Sequence, residues 1–189
     1  YEKEKFSIKG FDGTRGHIVE VEKSKTKSIS VLLNNKKTVT SKLIKEFPCT
    51  PIHNNTFSFA DASPDFRRKL LDRSIFIAED AFSACWFAYH RALKQRNGLL
   101  KNNRISDIYA WNTKLSKEGI ELTKYRKHFF EQTLDEFNFL LNFLKPNSVF
   151  SFFDLINIEF FQGWDSEKSY FELLEENIDN DLKRRSTTK

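Results

Sequence analysis

Ser63-Pro64-Asp65-Phe66-Arg67-Arg68-Lys69-Leu70-Leu71-Asp72 is the stretch at which the chain changes character. Ser63 can cap a helix through its hydroxyl. Pro64 suits the first helical position, where no N–H is needed, and Asp65 stands at the positive end of the helix dipole. Arg67, Arg68 and Lys69 follow in the same first turns, each unfavourable there by about a few tenths of a kcal/mol. That cost calls for an anion: a carboxylate such as Asp72 or Glu79, or a phosphate from nucleotide or DNA.

Downstream of this start the apolar residues recur four and three apart. Phe82, Trp86, Tyr89, Leu93, Arg96 and Leu100 mark one seam, which predicts a helix over residues 79–101. A polar turn, "KNNRIS", precedes a second long helix over residues 107–144, with Gly119 as the candidate break. Phe130, Leu134, Phe137, Leu141 and Leu144 continue the spacing along its last third. Two long helices joined by a short turn predict an antiparallel, coiled-coil-like hairpin.

Upstream of Ser63 the pattern is that of strands and turns. Gly10, Gly13 and Gly16 punctuate "GFDGTRGH"; residues 17–22 alternate with period two; residues 28–33 are strand-like; and "NNKK" reads as a hairpin turn. Residues 39–47 predict a short helix with Ser41 as candidate cap, bounded by Pro48 and Pro51. The expected form is a small antiparallel meander. After Pro146, "VFSFFDLINIEFF" returns to strand chemistry, Ser166 is expected to open a helix to about residue 181, and "KRRSTTK" to begin another strand. The fold class is therefore α+β, with a β-rich lobe at residues 1–62, a helical arm at 63–146 and a strand–helix return at 147–189.

Composition narrows the function. Among 189 residues, 39% are hydrophobic and 20 are Phe, which excludes a disordered tail. The net charge of +5 is compatible with a polyanionic partner. Two cysteines, Cys49 and Cys85, make no disulfide framework or zinc spacing and fit a reducing cytosol. No 18-residue apolar run occurs, so no membrane span is expected. Methionine is absent, position 1 included, which predicts an excerpt from a longer protein. His17, His53, His90 and His128 have no metal-ligand spacing. The glycine-rich stretch lacks the Lys-Ser/Thr of a phosphate loop and leads into a strand. A stripe of Arg91, Lys94, Arg96, Lys101 and Arg104, with no acid among them, could follow a DNA backbone with salt-dependent affinity.

"SPDFRRKLLD" followed by "ALKQRNGLLK" resembles the RecF family of bacterial DNA replication and repair proteins. The matching residues are Pro64, Arg67, Arg68, Leu71 and Asp72, then Leu93, Lys94, Gln95, Arg96 and Asn97. Trp111 in "AWNTKL", and Gly163-Trp164 before a helix, agree in order and spacing. The resemblance runs over residues 48–189. It implies an ATPase of the ABC class, related to the SMC heads, with a helical arm inserted in a β-rich head lobe. It further implies ATP with Mg as cofactor, DNA at single/double-strand junctions as ligand, and an ATP-dependent homodimer. RecO and RecR would be partners in loading RecA at gaps, during recombinational repair and the SOS response, in the bacterial cytoplasm.

By the same resemblance the Walker A loop is expected before Tyr1, the Gly-Pro-His segment after Lys189, and the signature and Walker B motifs later. No catalytic or cofactor-binding residue is carried over, and the chain alone is expected to be inactive, whereas the parent would be a weak DNA-dependent ATPase. Ala62-Ser63 replace the usual Gly-Gly, and Asn54-Asn55 the usual Pro-Glu near the nucleotide. The expected DNA contacts are Arg67, Arg68, Lys94, Arg96, Lys101 and Arg104. The competing expectation is an arm that docks RecR or a second RecF copy without touching DNA.

Overall fold

The computed structural model describes residues 5–26, 28–48, 62–145, 155–165 and 167–188. The chain divides into two compact units, residues 1–61 and 62–189. Cys49, Pro51, His53, Asn54, Asn55, Pro146, Ser166 and the first part of "VFSFFDLINIEFF" lie outside the described residues.

The first unit is an antiparallel meander: β1 (Lys5–Asp12), β2 (His17–Ser24), β3 (Ser30–Leu33) and β4 (Lys36–Thr38), in the order β1-β2-β3-β4. In the first hairpin Asp12 pairs with His17 and Ile8 with Val21. Its turn closes by Gly16 N–H donating to Asp12 O at 2.8 Å, with Gly16 at φ +67°, a conformation that favours glycine. In the last hairpin, β3–β4, Leu33 pairs with Lys36 around Asn34 and Asn35, whose φ values of 51° and 63° are those of a type I′ turn. Asparagine tolerates that region, and the twist of the turn matches that of the strands, so "NNKK" forms the tight turn its composition predicts. Helix α1 (Thr40–Glu46) packs on β3. Its N-cap is Val39, with no side-chain cap bond, so Ser41 lies inside the helix rather than capping it.

The second unit is helical: α2 (Pro64–Ala78), α3 (Phe82–Lys101), α4 (Ile108–Leu144), α5 (Tyr170–Glu176) and α6 (Ile178–Arg184). Ser63 caps α2 by accepting from Phe66 N–H at 3.4 Å, and Pro64 occupies the first position. Helices α3 and α4 run antiparallel: Arg96 meets Asn112 near the connecting turn, Cys85 meets Glu118, and Phe82 packs edge-on to Tyr125 farther along. Phe82, Ile75 and Leu122 form one buried cluster; Ala92, Leu115 and Leu174 form another.

Helix α4 is unbroken through Gly119. A Cβ there would lie 2.6 Å from Tyr170 Cε1, so glycine is needed for the close approach of that ring and not to interrupt the helix. Tyr170 is in turn stacked on Trp164, centroids 4.5 Å apart and planes 12° apart. Three expectations for the later chain are corrected. Residues 155–165 contain no strand; strand-forming residues need a neighbouring strand to pack against, and among the described residues none lies beside them. The next helix is capped by Ser169, whose hydroxyl accepts from Glu172 N–H at 3.2 Å while the Glu172 carboxylate accepts from Ser169 N–H at 2.9 Å. Lys183 and Arg184 close α6 instead of opening a strand, and Arg185 leaves it at φ 54°. No described helix is long and apolar enough to cross a membrane.

Candidate nucleic-acid interface

The basic residues of α3 separate into two sets. Arg91, Lys94 and Lys101 lie at intervals of three and seven, and Gly98 lies between the last two on the same stripe. All three are exposed, as is Arg104 just past the helix. Among the described residues none of the four has an ion-pair partner. A Cβ at Gly98 would meet nothing within 4 Å, so the stripe faces open space in this chain. With a rise of about 1.5 Å per residue, Lys94 and Lys101 stand about 10 Å apart along the axis.

Arg96 belongs to the other set, which corrects its assignment as a DNA contact. Its side chain is fully buried. Nη1 donates to Asp181 Oδ2 at 2.6 Å and to Thr187 Oγ1 at 2.8 Å, Nη2 to the Leu174 carbonyl at 3.1 Å, and Nε to Asn112 Oδ1 at 2.5 Å. Asn112 donates onward to Glu175. Asp181 accepts from Thr188 N–H at 2.6 Å through its other oxygen, and Asn97 accepts from Thr187 N–H at 2.8 Å. A guanidinium that makes four hydrogen bonds at zero exposure is out of reach of a phosphate. The network ties the turn end of the hairpin to α5, to α6 and to residues 187–188.

On α2, Arg68 pairs with Asp65, one turn before it. Asp72, a candidate counter-ion for Arg67, Arg68 and Lys69, is engaged elsewhere. Its carboxylate accepts from Arg126 Nε at 2.7 Å and Nη2 at 2.8 Å, and from Trp86 Nε1 at 3.1 Å. This bidentate pair fastens α2 to α4 across the indole. Arg67 and Lys69 are exposed. The first turns of α2 and the stripe on α3 are thus two exposed basic surfaces of this unit.

Among the described residues, the Cys85 thiol and the Tyr170 phenol are held in their neutral forms. Burial, helped by Glu118 and Glu121, pushes the Cys85 thiol above its ordinary pKa. Burial and the neighbouring Tyr89 push the Tyr170 hydroxyl far up as well. Among the described residues no three His, Cys, Asp or Glu side chains gather as metal ligands. "GFDGTRGH" forms a β-hairpin turn whose Thr14 N–H donates to the Asp12 carboxylate at 2.9 Å, so it does not fit a nucleotide phosphate.

Arg126, Asn112 and Asp181 were not singled out from the sequence. The one signal was Arg96 itself, a charge on an apolar seam, which asks for a buried partner. That partner lies 85 residues on.

Fold and site together define a mixed α+β protein in which a helical hairpin, locked near its turn by a buried arginine, carries a basic stripe without ion-pair partners among the described residues. Over 152 residues the chain is 32% identical to the DNA replication and repair protein RecF of Nitrosococcus oceani, covering 78% of this chain and 41% of that protein. It is 29% identical over 142 residues to the protein of the same name from Aliivibrio fischeri, covering 75% and 38%. A solved structure described as the recombination mediator protein RecF-ATP in the RecFOR pathway superposes on the whole chain with TM-score 0.74 and 18% identity, over 53% of its own length. One described as RecF-ATPrS gives 0.73 and 20%, over 54%. No protein-family model matches. Over about three quarters of its own length the chain is thus similar to part of proteins named RecF. It spans about two fifths of the curated relatives it matches and about half of the solved chains.

Proposed function

We propose that this chain is the part of a RecF-type, ATP-dependent DNA-repair protein that contacts DNA, through Lys94, Lys101 and Arg104, with Arg91 on the same surface and Arg67 and Arg68 as a second one. The observation that carries the reading is the exposed stripe on α3 without acid partners, on a chain whose curated relatives are named for DNA replication and repair. In the whole protein, ATP and Mg would be held by motifs outside these residues, with dimerisation following nucleotide binding. RecO and RecR would be its partners in loading RecA at single-strand gaps in the bacterial cytoplasm. Lysines and arginines on one helix face bind phosphates by releasing counterions, without reading sequence.

The test is fluorescence anisotropy of the chain with labelled gapped duplex DNA, without ATP. Four phosphate contacts would weaken affinity by about a hundredfold between about 50 and 200 mM salt. Lys94→Ala/Lys101→Ala should lower the slope of log affinity against log salt by about two. Absence of binding by the folded chain at low salt, or an unchanged slope in the variant, refutes the reading.

A second reading, an arm that docks RecR or a second RecF copy, has one observation in its favour. Phe139 and Phe143, near the end of α4, are 67% and 68% exposed. A docking arm requires no salt slope with DNA, so the same titration separates the two.

A further inference from the structure

One concavity of the helical unit takes no part in the basic stripe. It has a volume of 330 Å³ and is walled by α2, α3, α4 and the segment that leads into α5. That is the lower end of the range for small-ligand clefts, about 300 to 1,000 Å³. It has room for one nucleotide and not for a folded peptide.

Its walls are aromatic and its rim is cationic. Trp86 and His90 pack on each other on one side, centroids 3.8 Å apart, and the Trp164–Tyr170 stack stands on another. Leu93 and Leu122 complete the apolar lining, while Thr123 and Gln162 offer hydrogen-bonding groups. The carboxylate of Asp72 is already neutralised by Arg126, and that of Asp65 is paired with Arg68. Lys69, on the same rim, has no carboxylate partner among the described residues, so the cleft carries an excess positive charge. Flat rings beside a free ammonium suit a flat heterocycle that bears an anion: the rings stack on a base, and the lysine meets its phosphate.

We propose that this cleft receives one unpaired nucleotide of a DNA gap, its base among Trp86, His90 and Trp164 and its phosphate on Lys69 and Arg68. The inference rests on the reading that the chain works on DNA, and it adds a reason to prefer gaps. Only an unpaired base can leave the stack to enter a cleft at small cost, whereas the backbone stripe treats duplex and gap alike.

The test titrates the 189-residue chain with dAMP, deoxyadenosine and inorganic phosphate, following indole emission. The expected result is saturable quenching by dAMP with a Kd of about a millimolar, about tenfold weaker binding of deoxyadenosine, and none by phosphate alone. Lys69→Glu should weaken dAMP about tenfold, and Thr123→Phe, which fills the cleft, should abolish quenching with near-UV dichroism intact. Should Thr123→Phe fail to fold, Lys69→Glu decides, since Lys69 is exposed. Lys94→Ala/Lys101→Ala should leave dAMP binding unchanged while weakening duplex DNA. No saturable quenching, equal effects of dAMP and phosphate, or indifference to Lys69→Glu overturns the cleft. Loss of the duplex salt slope with dAMP binding retained would instead remove the stripe and leave the cleft standing.

Discussion

Replacing Arg96 by Met keeps the volume of the stem and deletes the charge, which makes it a direct probe of the buried network. The substitution leaves Asp181, 1% exposed, without its cationic partner and strips donors from Asn112 Oδ1 and the Leu174 carbonyl. Thr188 still donates to the other Asp181 oxygen, so the carboxylate is not wholly abandoned. Breaking one side of a buried ion pair costs about 3–5 kcal/mol, and the remaining Thr188 bonds place the expected loss near the middle, about 4 kcal/mol. At about 2–4 °C per kcal/mol for a chain of this size, the midpoint should fall by about 8–16 °C. Combining Arg96→Met with Asp181→Asn removes the orphaned charge and should recover about 1–2 kcal/mol relative to the single change, the signature of direct coupling. Urea unfolding followed by tryptophan emission is the assay, because Trp86, Trp111 and Trp164 all lie in the helical unit and report on it alone. A loss of under about 0.5 kcal/mol in Arg96→Met, with weakened DNA binding, would show the side chain in solvent and refute the burial argument.

Two glycines of the hairpin should respond in opposite directions. Gly98→Ala, facing open space, should stabilise by about 0.5–1 kcal/mol through helix propensity, whereas Gly119→Ala drives a methyl into the Tyr170 ring and should destabilise by about 1–3 kcal/mol. Equal signs in urea unfolding would contradict the packing. Ser169→Ala should cost about 1 kcal/mol by removing the cap of α5. Hydrogen bonds from Ser169 hold the Glu172 carboxyl below its ordinary pKa. Its contribution is therefore present above the ordinary glutamate range and lost as pH falls through the lowered folded value. The gap between wild type and Ser169→Ala should narrow on acidification, and a gap that widens would show the cap is not formed by the carboxylate. With its pKa raised by burial, Cys85 in a Cys49→Ser background should react with a maleimide more slowly in the folded chain than in urea at the same pH; equal rates would place the thiol at the surface.

What could be read in advance was local chemistry. Ser63 and Pro64 start α2 because a cap and a donor-free first residue act within one turn, and Asn34-Asn35 form the hairpin because two residues suffice to make it. The α3 seam was legible from spacing alone. What escaped depends on residues far along the chain. Gly119 looks like a break until Tyr170, 51 positions later, occupies the space beside it. Arg96 reads equally as seam or as DNA contact until Asp181 arrives. Ser169 outdid neighbouring polar residues as a cap only because Glu172 completes a reciprocal pair with it. Residues 155–162 carry strand-forming side chains, and that propensity stays unexpressed beside no described strand. At the candidate interface the charges were visible, yet which of them face solvent was a matter of tertiary packing.

The Arg96–Asp181 pair also predicts an order of events. The hairpin of α3 and α4 closes over a turn of a few residues, so its contacts are local and form early, while Asp181 lies 85 positions from its partner and must be brought in by the docking of α5 and α6. Until then the guanidinium of Arg96 stays hydrated on an assembled hairpin. Contacts completed after the rate-limiting step govern escape from the folded state and not entry to it. Substitutions at Asp181 should therefore leave the refolding rate nearly untouched and appear almost wholly as faster unfolding, so that the lifetime of the folded unit is set by the last salt bridge to close.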